Sequence, residues 1–136
     1  MAHWLLKTEP TVYSYDDLVK DKKTTWDGVA NPTALRHIRE IRKDDLVFIY
    51  HTGDEKQIVG IATVTSDPYP DPKQKNEKLV VFDIKPNMKL KRPVTLKEVK
   101  SIKKYAQYDL VRLPRVSVMP VPEKYWKDFV KMSEGS

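Results

Sequence analysis

The chain has 136 residues, 25 Lys/Arg against 19 Asp/Glu, a formal net charge of +6 and no cysteine. That length supports one domain that buries about two thirds of its unfolded surface. The lack of thiols excludes a disulfide framework, a thiolate metal site and a cysteine nucleophile.

Charge is uneven: residues 1–68 carry 9 Lys/Arg and 11 Asp/Glu, whereas residues 69–136 carry 16 and 8. Such asymmetry suits a polyanion approaching one side. The opening apolar run, Trp4-Leu5-Leu6, is too short for a secretory signal, and no window approaches a membrane span. A soluble, cytoplasmic, monomeric protein is expected, with no membrane partner, metal or cofactor.

In chain order, His3 to Thr8 reads as a short strand stopped by Glu9-Pro10. Ser14 caps a short helix whose first turn carries Asp16 and Asp17, where the helix dipole favours acids. Trp26-Asp27-Gly28-Val29-Ala30-Asn31-Pro32 follows a polar run. Asp27-Gly28 is a turn dipeptide, and Asn31-Pro32 suits an N-cap with proline at the first helical position. A flat ring, a carboxylate and an amide therefore gather at the mouth of a helix over Pro32 to about Ile41. Either they form a pocket for a flat polar ring, or Trp26 covers the core and Asp27 shapes the turn.

Leu46 to His51 and Gln57 to Val64 form a hairpin, with Gly60 marking a bulge or a close backbone approach. Asp67-Pro68-Tyr69-Pro70-Asp71-Pro72 reads as a stiff loop that holds up Tyr69. Leu79 to Ile84 is a third strand, and Lys85 to Pro93 reads as basic and irregular. Thr95-Leu96-Lys97-Glu98 is a capping box with Val94 and Val99 as its hydrophobic staple, which predicts a helix over about 96–103. One or two helical turns follow within Tyr105 to Leu113. A last strand spans Val116 to Val121, a C-terminal helix runs from Pro122 through Val130, and residues 132–136 are expected to fray. This order implies a single α+β domain over 1–136, a curved, mainly antiparallel sheet or small barrel flanked by helices.

The sequence has no glycine-rich phosphate loop, no His-x-x-x-His pair and no Gly-x-Ser-x-Gly elbow. His51, at a strand end beside Tyr50, either donates to a ligand or faces water. Proline-braced Tyr69 has little entropy to lose on stacking. Ser117, between Val116 and Val118, is either a core serine or a pocket hydroxyl. Lys7-Thr8-Glu9 is a charged strand end, or a lysine base, threonine nucleophile and acid able to hydrolyse an amide.

Taken together, several blocks resemble the EVE domain family of the PUA-like superfamily. They are Trp4-Leu5-Leu6-Lys7-Thr8-Glu9-Pro10, Tyr13-Ser14, Trp26-Asp27-Gly28-Val29, Val47 to His51, Ile58 to Ala62, Tyr69-Pro70-Asp71-Pro72 and Arg115 to Val121. The resemblance runs from Trp4 to about Trp126. It implies a PUA-like β-barrel with peripheral helices, and a non-enzymatic reader of a modified base in DNA or RNA through an aromatic cage. Modified cytosines, 5-methyl- or 5-hydroxymethyl-cytosine, are among the implied ligands. On that analogy Trp26 is the principal stacking wall and Tyr69 a second. Lys7, Thr8, Asp27, Asn31, Tyr50, His51 and Ser117 become rim or edge contacts. The chain departs from the family pattern at Ala30 and Leu35, where basic residues are usual. Phosphate anchoring is thereby left to Arg36 or to basic residues further on: Lys89, Lys91, Arg92 and Arg115. The alternative is an amidohydrolase acting on a modified nucleobase or nucleoside through Lys7, Thr8 and Glu9.

Overall fold

Local hydrogen bonding sets the helix starts. The fold is that of a computed structural model describing residues 2–135. Ser14 and Asp17 close a reciprocal capping box at the start of α1, Tyr15–Asp21. Asn31 caps α2, Pro32–Glu40, its side-chain oxygen accepting from the Ala34 amide at 3.0 Å. Thr95 and Glu98 do the same for α3, Leu96–Ser101, over a staple in which Val94 and Val99 are fully buried. A 3-10 turn at Lys103–Tyr105 and the short α4, Asp109–Arg112, supply the expected turns after α3. The chain closes with α5, Glu123–Ser133.

The strands are β1 His3–Thr8, β2 Thr24–Trp26, β3 Leu46–His51, β4 Gln57–Val64, β5 Tyr69–Pro70, β6 Val80–Thr95 and β7 Val118–Pro120. They form one sheet ordered β2-β6-β4-β3-β1-β7, with β5 paired to β6. Only β1 with β3 is parallel; the other pairings are antiparallel. Both faces are buried, so Leu46 to Tyr50 is continuously apolar rather than alternating. One face carries Trp4, Leu6, Val47, Ile49 and Phe82 beneath α1 and α2. The other carries Leu5, Phe48, Tyr50 and Ile58 beneath α3, α4 and α5. No helix among the described residues is long and apolar enough to cross a membrane.

Four sequence expectations change. Lys85 to Pro93 is strand, the middle of the 16-residue β6. Its pairing with β4 jumps from Ile58↔Val94 to Gly60↔Lys89, so that Leu90 to Pro93 stand opposite the single Val59. This widened bulge accommodates Pro93 and bends the strand, while Leu90 alone of the four is buried. The short β2 went unrecognised because three residues carry too little periodicity. Tyr69-Pro70 is a two-residue strand rather than a free loop. Met132 and Ser133 remain helical, and Ser133 is buried; Ser136 lies outside the described residues. Gly60 proves to be a close approach within the protein, since a Cβ there would stand 2.6 Å from the Tyr15 ring.

Arg92 holds the last helix down. Its guanidinium donates to both Glu98 oxygens at 2.8 and 2.9 Å and to the Met132 carbonyl at 2.9 Å. The Arg92 bonds hold the Glu98 carboxyl at about 2, below its usual 4.5. A depressed folded value means stabilisation that is complete above the unfolded value and disappears as pH falls from about 4.5 to about 2. Because the pair is partly exposed, the expected loss is about 1 kcal/mol. Urea midpoints of the wild type and Glu98→Gln should differ at neutral pH and converge across that window.

Candidate functional site

The end of β1, the turn after it and β2 enclose a cavity of about 310 Å³, lined by Thr8, Val12, Tyr13, Thr24, Thr25, Trp26 and Asp27. The turn is braced: the Glu9 carbonyl accepts from the Val12 and Tyr13 amides, each at 2.9 Å, and Thr8 Oγ1 donates to the Tyr13 carbonyl at 2.7 Å. Just beyond it, the Tyr15 amide donates to His51 Nε2 at 3.0 Å, while His51 Nδ1 lies 2.9 Å from Glu55. The Nε2 lone pair is thus occupied and Nδ1 carries the proton, which it donates to Glu55. On the opposite wall β2 pairs with β6, setting Trp26 against Phe82 and Thr25 against Asp83.

Two aromatic rings make the corner of the cavity. Tyr13 meets Trp26 edge-on, with centroids 6.5 Å apart and planes at 79°. Trp26 is only 8% exposed and packs into the core. The Trp26 ring therefore covers the core, and its remaining surface lines the cavity. Half-buried Tyr13 offers the more open ring; its hydroxyl donates to Asp21 at 2.9 Å, and burial is the main cause of its raised pKa. Three threonines and the exposed Asp27 carboxylate supply the polar lining. Among the described residues, none lining the cavity carries a positive charge. Such a lining takes a neutral ring with donor groups on its edge and disfavours a phosphate.

Of the residues singled out in the sequence, Thr8, Trp26 and Asp27 meet here. Lys7 and Tyr50 do not: side chains alternate along a strand, and Tyr50 lies in the core of the opposite face. Lys7 Nζ donates to the Pro114 carbonyl at 3.0 Å and stands 5.7 Å from the Tyr50 ring centroid. Burial lowers the Lys7 pKa and raises that of Tyr50 to about 12. Ser117 is on that side too, its carbonyl accepting from the Lys7 amide at 2.9 Å. His51 is an internal brace rather than a ligand donor, and the Asn31 amide oxygen is committed to its cap. Tyr69 stands outside the lining; its hydroxyl donates to Asp83 at 2.6 Å, beside Thr25 Oγ1 at 2.9 Å from the same oxygen. The bond to Asp83 raises the Tyr69 pKa.

The amide-hydrolysis arrangement is not assembled. Lys7 reaches Pro114, the Thr8 hydroxyl is donated to Tyr13, and the Glu9 carboxylate turns back toward Thr11 and Thr52. No group of His, Cys, Asp or Glu among the described residues is placed to hold a metal. Of the basic candidates, Arg92 is spent on Glu98 and Met132, and Lys89 pairs with Asp16 at 3.0 Å on the surface. Arg36, Lys91 and Arg115 are exposed. Tyr13, Val12, Thr24 and Thr25 were missed as lining. The available signal was an aromatic immediately before a helix cap, in a turn stiffened by Pro10.

A family model described as EVE domain matches residues 2–132. Thymocyte nuclear protein 1 of Homo sapiens is 30% identical over 126 residues, an alignment covering 74% of this chain and 56% of that protein. The chain thus spans little more than half the length of this curated relative. The NMR structure of Rpa0253 from Rhodopseudomonas palustris superposes with a TM-score of 0.93 at 40% identity, covering 98% of this chain and 94% of that one. A crystal structure of human THYN1 protein in complex with 5-methylcytosine-containing DNA superposes with a TM-score of 0.89 at 24% identity, covering 100% and 99%. At that identity the likeness is one of fold.

Proposed function

The chain belongs to the EVE domain family, and on that premise we propose that it is a non-enzymatic reader of a modified base, 5-methyl- or 5-hydroxymethyl-cytosine in DNA. The observation that carries this reading is the cavity lining: an aromatic corner, three hydroxyls and one open carboxylate, without a cation. A carboxylate only accepts hydrogen bonds, so Asp27 complements an exocyclic amine such as cytosine N4. The Tyr13–Trp26 corner offers apolar contact to a 5-substituent. The complex that the human THYN1 protein forms with 5-methylcytosine DNA supports the same ligand class for this chain.

Energetics assign the work. Extruding a base from a duplex costs a few kcal/mol, and stacking on an aromatic returns about 1–3 kcal/mol. Aromatic contact therefore does little more than offset extrusion. Discrimination falls to the polar edge, where an unpaired buried group costs about another 1–3 kcal/mol. Exposed cations such as Arg36 and Arg115 hold the backbone through salt-sensitive contacts.

Fluorescence polarisation on matched oligonucleotides tests this. Plain, 5-methyl- and 5-hydroxymethyl-cytosine DNA, with plain and N6-methyl-adenine RNA, are compared at two salt concentrations. A preference of tenfold or more for modified cytosine, about 1.4 kcal/mol, is expected. Asp27→Ala should weaken binding to modified-cytosine DNA by about tenfold or more, with the salt slope unchanged. Equal binding to every oligonucleotide, or unchanged affinity in Asp27→Ala, would overturn the assignment.

A further inference from the structure

We infer that Val12 is a wedge that enters a DNA duplex and holds the gap left by the extruded base; this rests on the base-pocket reading above. Val12 is 80% exposed, the most exposed of the large apolar side chains among the described residues, and it stands on the rim of the cavity itself. An exposed valine alone needs no explanation. Its support does: both amide bonds to the Glu9 carbonyl, the Thr8–Tyr13 bond and Pro10 fix the turn that carries it. Thr11 and Val12 are β-branched and stiff at χ1, so little entropy remains to be lost when the tip is confined.

Charge at the tip points the same way. Glu9, the acidic residue of the turn, has its carboxylate folded back beside Gly53, where a Cβ would stand 2.9 Å from either oxygen. Thr11 and Thr52 hydroxyls also approach it. None of Pro10, Thr11 and Val12 at the tip is itself charged, and the nearby Glu9 carboxylate, within reach of the Thr11 hydroxyl, is turned toward Gly53 and Thr52. Apolar side chains inserted between base steps pay for unstacking by occupying the opened space. Here the wedge and the cavity share one wall, so the space emptied and the space filled lie side by side.

The test separates duplex from single strand. Binding of wild type, Val12→Ala and Val12→Leu is measured on a duplex holding one 5-methylcytosine and on the same modified strand alone. A single strand has no stack to hold open, so Val12→Ala, which also removes one rim contact of the cavity, should weaken duplex binding at least fivefold more than single-strand binding. Val12→Leu should keep duplex affinity at or above wild type. Equal losses on both substrates would make Val12 an ordinary rim contact, and no loss on either would remove it from the interface; both overturn the wedge and leave the pocket standing. A wild type that binds modified and plain single strands equally would instead overturn the pocket, and the wedge with it. A side chain so exposed leaves stability unaffected on substitution, which circular dichroism of both variants verifies.

Discussion

Trp26→Ala is expected to lower folding stability by about 3–5 kcal/mol and the melting temperature by on the order of 10 °C or more. With 8% of its surface exposed, Trp26 is a core residue that shows one part of its ring to the cavity. It packs in one cluster with Tyr15, Leu18, Leu35 and Phe82 and is joined at its edge by Tyr13. Truncation removes buried apolar area and opens a void under β2 as well as one pocket wall. Thermal unfolding by circular dichroism reads the first effect. The second is read by polarisation at a temperature where the variant is still folded. There, preference for the modified base should vanish while weak, salt-dependent binding persists. Should folded Trp26→Ala still tell modified from plain cytosine, the pocket would be misplaced. Trp26→Phe, which keeps most of the packing, should recover most of the stability.

Asp45→Ala should cost about 3 kcal/mol or more, although Asp45 lies outside the candidate site. Its buried carboxylate accepts from Trp4 Nε1 and the Arg42 amide, each at 2.9 Å, and from the Ala2 amide at 3.1 Å. Alanine leaves the buried Trp4 Nε1 and two partly buried amides without this acceptor, and an unsatisfied buried group costs about 1–3 kcal/mol. The bonds join the start of β1 to the turn before β3, the one parallel pairing of the sheet. Amide exchange of Leu5 and Leu6 should therefore accelerate more than that of α5, which packs on the other side of the sheet. Asp45→Asn, which keeps one acceptor oxygen, should lie between the wild type and alanine. Uniform acceleration throughout the chain would show that the effect is global rather than seated at β1.

Much of the fold was legible because some of its determinants act over three or four residues. Ser14 with Asp17, Asn31 with Pro32, and Thr95 with Glu98 each satisfy helix-end donors locally, so α1, α2 and α3 begin where those residues stand. The apolar runs of β1, β3 and β4 are similarly plain, since a strand buried on both faces needs no pairing partner to be recognised. The blocks from Trp4 to Val121 also indicated the EVE domain family, and the family match over 2–132 agrees.

Longer-range facts were decided in the folded chain. Whether Lys85 to Pro93 is strand depends on β4 pairing across a bulge, and a bulge has no signature in a charged, proline-containing run. The sheet likewise divides residues that neighbour one another in sequence. Thr8 reaches the cavity while Lys7 turns to Pro114 and Tyr50, because alternation sends consecutive side chains to opposite faces. His51 and Arg92, polar and plausible as ligand contacts in one dimension, are consumed by Tyr15 and Glu98, partners 36 and 6 residues away. Tyr13 and Val12 gain their importance only when the braced turn brings them against β2. Residue type states what chemistry a side chain can offer; its tertiary partners decide whether that capacity is still free.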